Sequence, residues 1–232
     1  TAPVISSPKE AKEVALAIGG IYRATGKVMR GLGTIRQDVN ISIPNGALTE
    51  IKGVQELELI SVVVEYEVQR QTNLIKISGE LKKNGVKEKD IKEEFFDVAS
   101  VFKQTKCKVI RKALDKNQQV SAVKLPRFKG FLKRELLPNF RLGTEMADRA
   151  RFWGRVGGIF HTDELPAYGI TLEEVEALKE AAKKGLINYI PGDSDFKINE
   201  PEKLSDRQKK ALEFIRTNVL KKFSSTGVQQ VL

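Results

Sequence analysis

The sequence predicts an α+β protein in two parts, and three observations carry that prediction. Helical and extended patterns follow one another without the regular strand–helix–strand rhythm of a parallel α/β sheet. A strict two-residue alternation runs from Ile35 to Ile43 and meets Pro44-Asn45-Gly46, the pattern of a hairpin with one apolar face. A short charged run, Lys87-Glu88-Lys89, separates the stretch built around that hairpin from a second set of elements. The expected organisation is a partial sheet-and-helix segment over residues 1–85 and an α+β domain over residues 90–223.

Thr1 to Ile5 reads as the tail of a strand entering a loop, so the chain is expected to be a piece of something longer. Ser7-Pro8-Lys9-Glu10 is a capping box with proline at the first helical position. Ala11, Val14, Ala15, Ile18, Ile21 and Tyr22 then keep helical spacing, and Gly26 after Thr25 closes the helix. A glycine-rich loop, Arg30-Gly31-Leu32-Gly33, leads into the hairpin. Glu56 to Asn84 is expected to be one long helix, despite the β propensity of Ser61-Val62-Val63-Val64, and Asn84-Gly85 stops it.

In the second part, Asp90 with Glu93 three places on is expected to cap a helix whose apolar stripe includes Ile91, Phe95, Val98 and Phe102. Cys107 to Lys112 and Val120 to Leu125 read as strands. Leu142 to Arg151 fits a short helix or the start of a strand, and Ile159-Phe160-His161 reads as a brief strand. Asp163 to Gly169 is a turn, and Thr171-Leu172-Glu173-Glu174 is a capping box opening a helix to Lys184, with Gly185 at its end. Leu186 to Ile190 reads as a strand, Ser205 to Lys222 as a last helix, and Ser224 to Leu232 as frayed or cut off.

Composition narrows the chemistry. The 232 residues are 41% hydrophobic and 30% charged, a globular balance. No apolar run approaches the roughly 18–20 residues that span a bilayer, and no signal-peptide pattern is present. One cysteine, Cys107, excludes an intrachain disulfide and a cysteine zinc site, which fits a reducing, intracellular setting. With a single histidine, His161, any catalysis must rest on carboxylates, lysines, hydroxyls or bound ions. The net charge is +10, but it is uneven: Phe102 to Val156 holds 15 Lys/Arg against 4 Asp/Glu, while Gly157 to Lys203 holds 5 Lys against 10 acids. Phe128, Phe131, Phe140, Phe152 and Trp153 lie among those basic residues, a mixture suited to a phosphate backbone. Arg127, Lys129, Lys133, Arg151 and Arg155 are the RNA-contact candidates on charge.

The hairpin carries the candidate site. Ile35, Gln37, Val39, Ile41 and Ile43 point one way, whereas Arg36, Asp38, Asn40 and Ser42 point the other. With a three-residue turn, Ile43 pairs with Ala47, Asn40 faces Glu50 and Asp38 faces Lys52. One surface then gathers Arg36, Asp38, Asn40, Glu50 and Lys52, where two carboxylates and an amide could hold a hard divalent cation and the two bases could hold phosphate. The competing description is a solvated sheet face laced with ion pairs. Nucleotide-loop, zinc-protease and serine-hydrolase signatures do not occur. His161 reads as a satisfied histidine at a strand end, Asp163 and Glu164 as turn acids, and Cys107 as a small buried apolar residue.

Six strings bring a resemblance. Gly33 to Ile43, Glu50 to Gln55 and Glu65-Tyr66-Glu67-Val68-Gln69-Arg70-Gln71 closely resemble the E subunits of the archaeal glutamyl-tRNA(Gln) amidotransferases, and more loosely the bacterial B subunits. Val123 to Pro126, Arg141 to Asp148 and Gly157 to Thr171 (GGIFHTDELPAYGIT) are similar to the domain inserted in those archaeal proteins, which is related to an insert of bacterial-type aspartyl-tRNA synthetases. The resemblance implies that residues 1–85 are part of a catalytic cradle and residues 90–223 the synthetase-like insert. It implies an enzyme that phosphorylates the γ-carboxylate of glutamate misacylated onto tRNA(Gln), using ATP and Mg²⁺, and then displaces phosphate with ammonia. It also implies a cytoplasmic hetero-oligomer with an asparaginase-like D subunit that releases the ammonia. The family's upstream Glu-Ile-His motif and its tail domain find no counterpart here, so a fragment without activity of its own is expected. The rival reading is a non-catalytic tRNA-binding or assembly module; a true aspartyl-tRNA synthetase piece fits less well, because the hairpin region is unlike a synthetase.

Overall fold

The computed structural model describes residues 4–29, 31, 33–92, 94–184 and 228–231. It is α+β, with helices set among small sheets rather than wound around one continuous sheet. Two compact units are distinguished, Thr1–Ser78 with Lys221–Leu232, and Gly79–Leu220.

The first unit opens with helix α1, Pro8–Ala24. The Ser7 hydroxyl accepts from the Glu10 N–H at 3.2 Å, as a capping box requires. Glu10 reaches one residue further back than the motif predicts, accepting from the Ser6 N–H at 2.7 Å. Gly26, at φ 66°, donates to Arg23 O and closes the helix as expected. The buried stripe of α1 corrects the sequence reading. Ala11, Ala15 and Gly19 face inward against Leu57 and Ile60, while Val14, Ile18, Ile21 and Tyr22 are exposed. Small residues at i, i+4 and i+8 let the helix approach closely; a Cβ on Gly19 would lie 3.1 Å from Leu57 Cδ1. Val4 and Ile5 are exposed and form no strand, against expectation.

Strands β1, Gln37–Ile41, and β2, Leu48–Val54, form the expected antiparallel hairpin. The Gly46 N–H donates to Ile43 O across Pro44 and Asn45, with Asn45 at φ 62°. Asn40 stands opposite Glu50, as the three-residue turn predicts. Two details differ. The ladder ends at Ile41↔Thr49, so Ile43 and Ala47 are not paired, and a register shift between Gln37 and Val39 places Asp38 against a bulge instead of directly across from Lys52. The other edge of β2 pairs in parallel with β7, Val228–Val231, so this part of the expected frayed end is strand.

Helix α2, Ile60–Lys83, follows a short 3₁₀ turn at Leu57–Leu59. Its buried positions include Ile60, Glu67, Gln71, Leu74, Ser78 and Leu81, a helical stripe that mixes polar with apolar groups. Gln71 is 1% exposed. Its Oε1 accepts from the Ala47 N–H at 3.1 Å, and its Nε2 donates to Thr49 Oγ1 at 3.2 Å and Glu67 Oε1 at 2.9 Å. The side chain therefore ties the end of the turn and the start of β2 to the helix. A Cβ on Gly46 would collide with Gln71 Oε1, so the turn sits too close for any larger residue.

In the second unit, α2 ends in a Schellman motif: Val86 N–H donates to Leu81 O, and Gly85 N–H, at φ 74°, to Lys82 O. The predicted helix at Asp90 is absent. Asp90 instead closes a 3₁₀ turn, Glu88–Asp90, by accepting from the Lys87 N–H, and the chain runs on as β3, Phe95–Asp97. Pairing with β4, Ser121–Val123, which lies within the predicted strand, outweighs the local helical spacing. Residues 108–112 reverse in the other direction: they belong to helix α3, Lys108–Asp115, with Cys107 at its N-cap. Cys107, Ile110 and Leu114 share the core, at i, i+3 and i+7, leaving Lys108 and Lys112 in solvent.

Strands β5, Glu135–Leu137, and β6, Phe140–Arg141, form a small hairpin that runs into helix α4, Leu142–Gly154. Ile159-Phe160-His161 is not a strand; Phe160 packs against the α3 core without a ladder partner. Helix α5, Leu172–Lys184, carries the expected reciprocal box, with Thr171 N–H to Glu174 Oε2 at 2.8 Å and Glu174 N–H to Thr171 Oγ1 at 3.2 Å. The expected Gly185 cap, the Leu186–Ile190 strand and the Ser205–Lys222 helix lie outside the described residues.

Replacing Gln71 by leucine leaves the Ala47 N–H and the Glu67 carboxylate without this partner in a buried setting. Urea denaturation should show a loss of about 2–3 kcal/mol; an unchanged midpoint would show that the hairpin is held by other contacts.

Candidate active site

Alternation along β1 and β2 sets which side chains share a surface. Gln37, Val39, Ile41 and Thr49 turn toward α1 and α2: the Gln37 amide donates to Ala15 O at 3.0 Å, and Thr49 receives Gln71. The opposite face presents Arg36, Asp38, Asn40 and Ser42 from the first strand and its approaches, all exposed, with Glu50 and Lys52 from the second. All five hairpin candidates therefore lie on one face.

The bulge organises them. Asp38 Oδ1 accepts from the Gly53 N–H at 2.8 Å, and Gly53 takes φ 72°, a conformation in which glycine meets no Cβ penalty. Asp38 Oδ2 lies 3.6 Å from Lys52 Nζ, and Glu50 Oε2 lies 3.0 Å from the same ammonium. Lys52 thus bridges the two carboxylates, while the Arg36 side chain passes over Gly53 and adds its positive field to Asp38. The Gly53 N–H first, and then Lys52 and Arg36, hold the Asp38 carboxyl below the ordinary aspartate range. The Glu50 carboxylate first, and then Asp38, hold Lys52 above the ordinary lysine range. Both shifts favour the charged forms of Asp38 and Lys52.

Two carboxylates match what Mg²⁺ commonly takes from a protein when phosphate oxygens and water complete its shell. Among the described residues no group of three or more His, Cys, Asp or Glu side chains gathers to form an all-protein cage. The donor set therefore fits a cation shared with a phosphate ligand rather than a structural ion.

The basic candidates are spread over the second unit. Arg127, at φ 63°, donates through Nη1 to Asn84 O at 3.2 Å and Gly85 O at 2.8 Å, satisfying carbonyls at the end of α2. Lys129 and Lys133 are exposed. Arg151 stands 3.5 Å from Asp148 on α4, and exposed Arg155 terminates that helix in the left-handed conformation. Asp163 is a structural acid, as expected, receiving the Gly130 and Leu132 N–H groups at 2.7 and 3.0 Å. Half-buried His161 Nε2 lies 3.6 Å from Glu164 Oε1, and its Nδ1 is buried with no protein partner. Sequence reasoning did not single out Gln71, although it lies in one of the strings that carry the resemblance; an amide among the inward positions of a helix is the signal.

Comparison with known proteins adds the following. Residues 1–150 match the family described as GatB/GatE catalytic domain. Residues 169–232 match a second description, Obg-like GTPase YGR210-like, G4 motif-containing domain. Relatives named as the E subunit of glutamyl-tRNA(Gln) amidotransferase are 59% identical in Aeropyrum pernix over 78% of this chain, and 59% identical in Pyrococcus furiosus over 78%. The relative of that name in Methanocaldococcus jannaschii is 52% identical over 91% of this chain. The matches cover 28%, 28% and 34% of those relatives, so the chain spans about a third of their length or less.

Because its folded-state pKa is lowered, Asp38 stabilises the hairpin at pH values above its unfolded-state pKa. That contribution is lost as pH falls through the lowered folded value, below about pH 4. Carboxyl carbon NMR should place the Asp38 midpoint below that of an ordinary aspartate. Lys52→Met should raise it part of the way, since the Gly53 N–H remains; an unmoved midpoint would show that Lys52 exerts no field there.

Proposed function

The chain belongs to the GatB/GatE catalytic-domain family, and from that premise we propose that it is part of a tRNA-dependent amidotransferase converting Glu-tRNA(Gln) to Gln-tRNA(Gln). The observation that supports this reading is the single-faced cluster of Asp38, Glu50, Lys52 and Arg36, a set suited to phosphate and an attendant cation. Residues 1–85 are proposed as part of the catalytic cradle, and residues 90–223 as the synthetase-like insert, with the stretch from 169 also similar to the GTPase-type domain. The proposed setting is cytoplasmic, and no helix among the described residues is long and apolar enough to cross a membrane.

In this reaction an oxygen of the glutamyl γ-carboxylate attacks the γ-phosphorus of ATP and ADP departs. Ammonia then attacks the acyl carbon, phosphate leaves as the C–O bond breaks, and a proton is lost from nitrogen. No serine or cysteine nucleophile is needed, which accords with a chain whose one cysteine is buried. The protein's task is to position anions and balance charge. Lys52 and Arg36 are proposed to hold phosphate oxygens, and Asn40, opposite Glu50 on the exposed face, to orient the carboxylate or phosphate by hydrogen bonding. Asp38 and Glu50 are the residues that would hold Mg²⁺, which when bound neutralises phosphate charge. The Gly53 N–H fixes Asp38 for that role. An asparaginase-like D subunit is the proposed source of ammonia, giving a hetero-oligomer.

The basic stretch of the second unit is proposed to meet tRNA(Gln). Lys129, Lys133, Arg151 and Arg155 present charge to solvent, and Arg127 brings the donors not engaged at the end of α2.

In the assembled amidotransferase, Asp38→Ala and Glu50→Ala should each lower ATP-dependent formation of Gln-tRNA(Gln) by on the order of 10²-fold or more, with the fold and tRNA affinity retained. Unchanged turnover in both variants would remove the hairpin from the active site. Charge-neutralising changes at Lys129 and Lys133 should instead weaken tRNA binding and make its salt dependence shallower by about one unit per lost phosphate contact.

A further inference from the structure

Outside the hairpin, the second unit carries a cleft of about 380 Å³ whose walls include Lys106, Lys108, Val109, Phe160 and Tyr168. That volume falls in the range of pockets that take small organic ligands, roughly 300–1,000 Å³. Phe160 is half-buried against the α3 core, and its ring lies 5.7 Å from the Tyr168 ring at 45°. Tyr168 is 62% exposed, and its hydroxyl donates to Glu164 Oε2 at 3.3 Å. One aromatic ring is therefore anchored and the next stands open beside it.

The backbone holds this ring out at a cost. Tyr168 sits at φ 58° and Gly169 at φ 85°, two successive residues in the left-handed region. Gly169 must be glycine, because a Cβ there would lie 2.6 Å from Lys106 O and 2.8 Å from Cys107 N. Tyr168 has no such requirement, and a bulky residue at positive φ is a strained choice where glycine or asparagine would serve. Packing does not account for it, since most of the side chain is in solvent. The two rim lysines, Lys106 and Lys108, are exposed, and neither forms an ion pair among the described residues. They belong to the segment holding 15 Lys/Arg against 4 Asp/Glu.

We propose that this cleft seats one unstacked base of an RNA strand, with Tyr168 as the stacking platform, Phe160 backing it, and Lys106 and Lys108 meeting the adjoining phosphates. An exposed aromatic ring beside two exposed cations is the usual combination in single-strand recognition, where the ring takes the base face and the cations track the backbone. The inference rests on the reading that the parent enzyme acts on tRNA, and it adds a site for one nucleotide at a distance along the chain from the hairpin.

The test measures affinity of the full chain for tRNA(Gln) and for a short single-stranded RNA carrying 2-aminopurine, over a series of salt concentrations. Tyr168→Ala should weaken binding about tenfold and abolish the quenching of 2-aminopurine, whereas Tyr168→Phe should keep both. Tyr168→Gly suits the backbone, so it should keep the melting midpoint while losing affinity as the alanine variant does. Lys106→Ala with Lys108→Ala should reduce the slope of log K against log salt by about 1.4, or 0.7 for each single-strand phosphate contact. If the wild-type chain binds RNA and every one of these variants binds equally well, the cleft is not the seat, and the amidotransferase reading stands untouched. If the wild-type chain shows no salt-dependent RNA affinity, the proposed RNA contact of this unit and the base seat both fall. Tyr168-dependent binding of AMP without any effect on RNA would overturn the proposal in favour of a free-nucleotide pocket.

Discussion

Gln71 is the contact on which the hairpin depends. A helix can offer a sheet an apolar face and still leave the register of that sheet free to slip. Here one buried amide takes the N–H of Ala47 and gives its own N–H groups to Thr49 and Glu67, so the turn and the first residues of β2 have a single compatible position on α2. Because strand side chains alternate, that position also decides the outward face. Arg36, Asp38, Asn40, Glu50 and Lys52 share it only because Thr49 is held inward. A slip of one residue would bury the charges and expose the isoleucines. The polar network under the sheet is thus what makes the one-sided cluster above it possible.

The bulge adds a second level of control. In a regular ladder Asp38 and Lys52 would face each other as a simple cross-strand pair. The register shift instead turns the Gly53 N–H onto Asp38, giving the carboxylate a fixed backbone donor as well as a mobile ammonium. A charge held by backbone can stay in place while the neighbouring lysine engages a ligand, which is what the proposed phosphate-handling role requires. The same logic separates the basic residues of the second unit. Arg134 forms a two-pronged pair with Glu80 and lies over the Phe131 ring, and Arg127 closes the end of α2. These arginines serve the fold first, so the local positive excess overstates the charge that is free to meet a polyanion. Lys106, Lys108, Lys129 and Lys133 are among the basic residues left in solvent.

Elements whose signals are local were legible in the sequence. The capping residues Ser7 and Thr171, the Asn84-Gly85 stop, the alternation of β1 and the glycine after α1 each act within four or five residues, and the structure keeps them all. The candidate face was legible for the same reason, since alternation and turn length are enough to assign sides. The resemblance, carried by strings such as Glu65 to Gln71 and Gly157 to Thr171, supplied the chemistry to attach to that face.

Tertiary structure decided the rest. Residues 90–102 have a helical stripe, yet Phe95 to Asp97 form a strand, because β4 offers a ladder and Ile91 finds a fully buried place in extended conformation. Residues 107–112 look β-branched and extended, yet Cys107, Ile110 and Leu114 meet the core only when wound as a helix. On α1 the large apolar residues advertised a buried face, and the small ones occupy it, because only Ala11, Ala15 and Gly19 permit close approach to Leu57 and Ile60. The bulge at Asp38 and the engagement of Arg127 likewise arise from partners many residues away. The sequence by itself determined where elements start and stop and which residues share a strand face, since backbone geometry and nearest neighbours govern those choices. Which of two plausible conformations a short segment takes, and which charges remain free, was decided by non-local pairing and burial, whose energies exceed the few tenths of a kcal/mol separating local propensities.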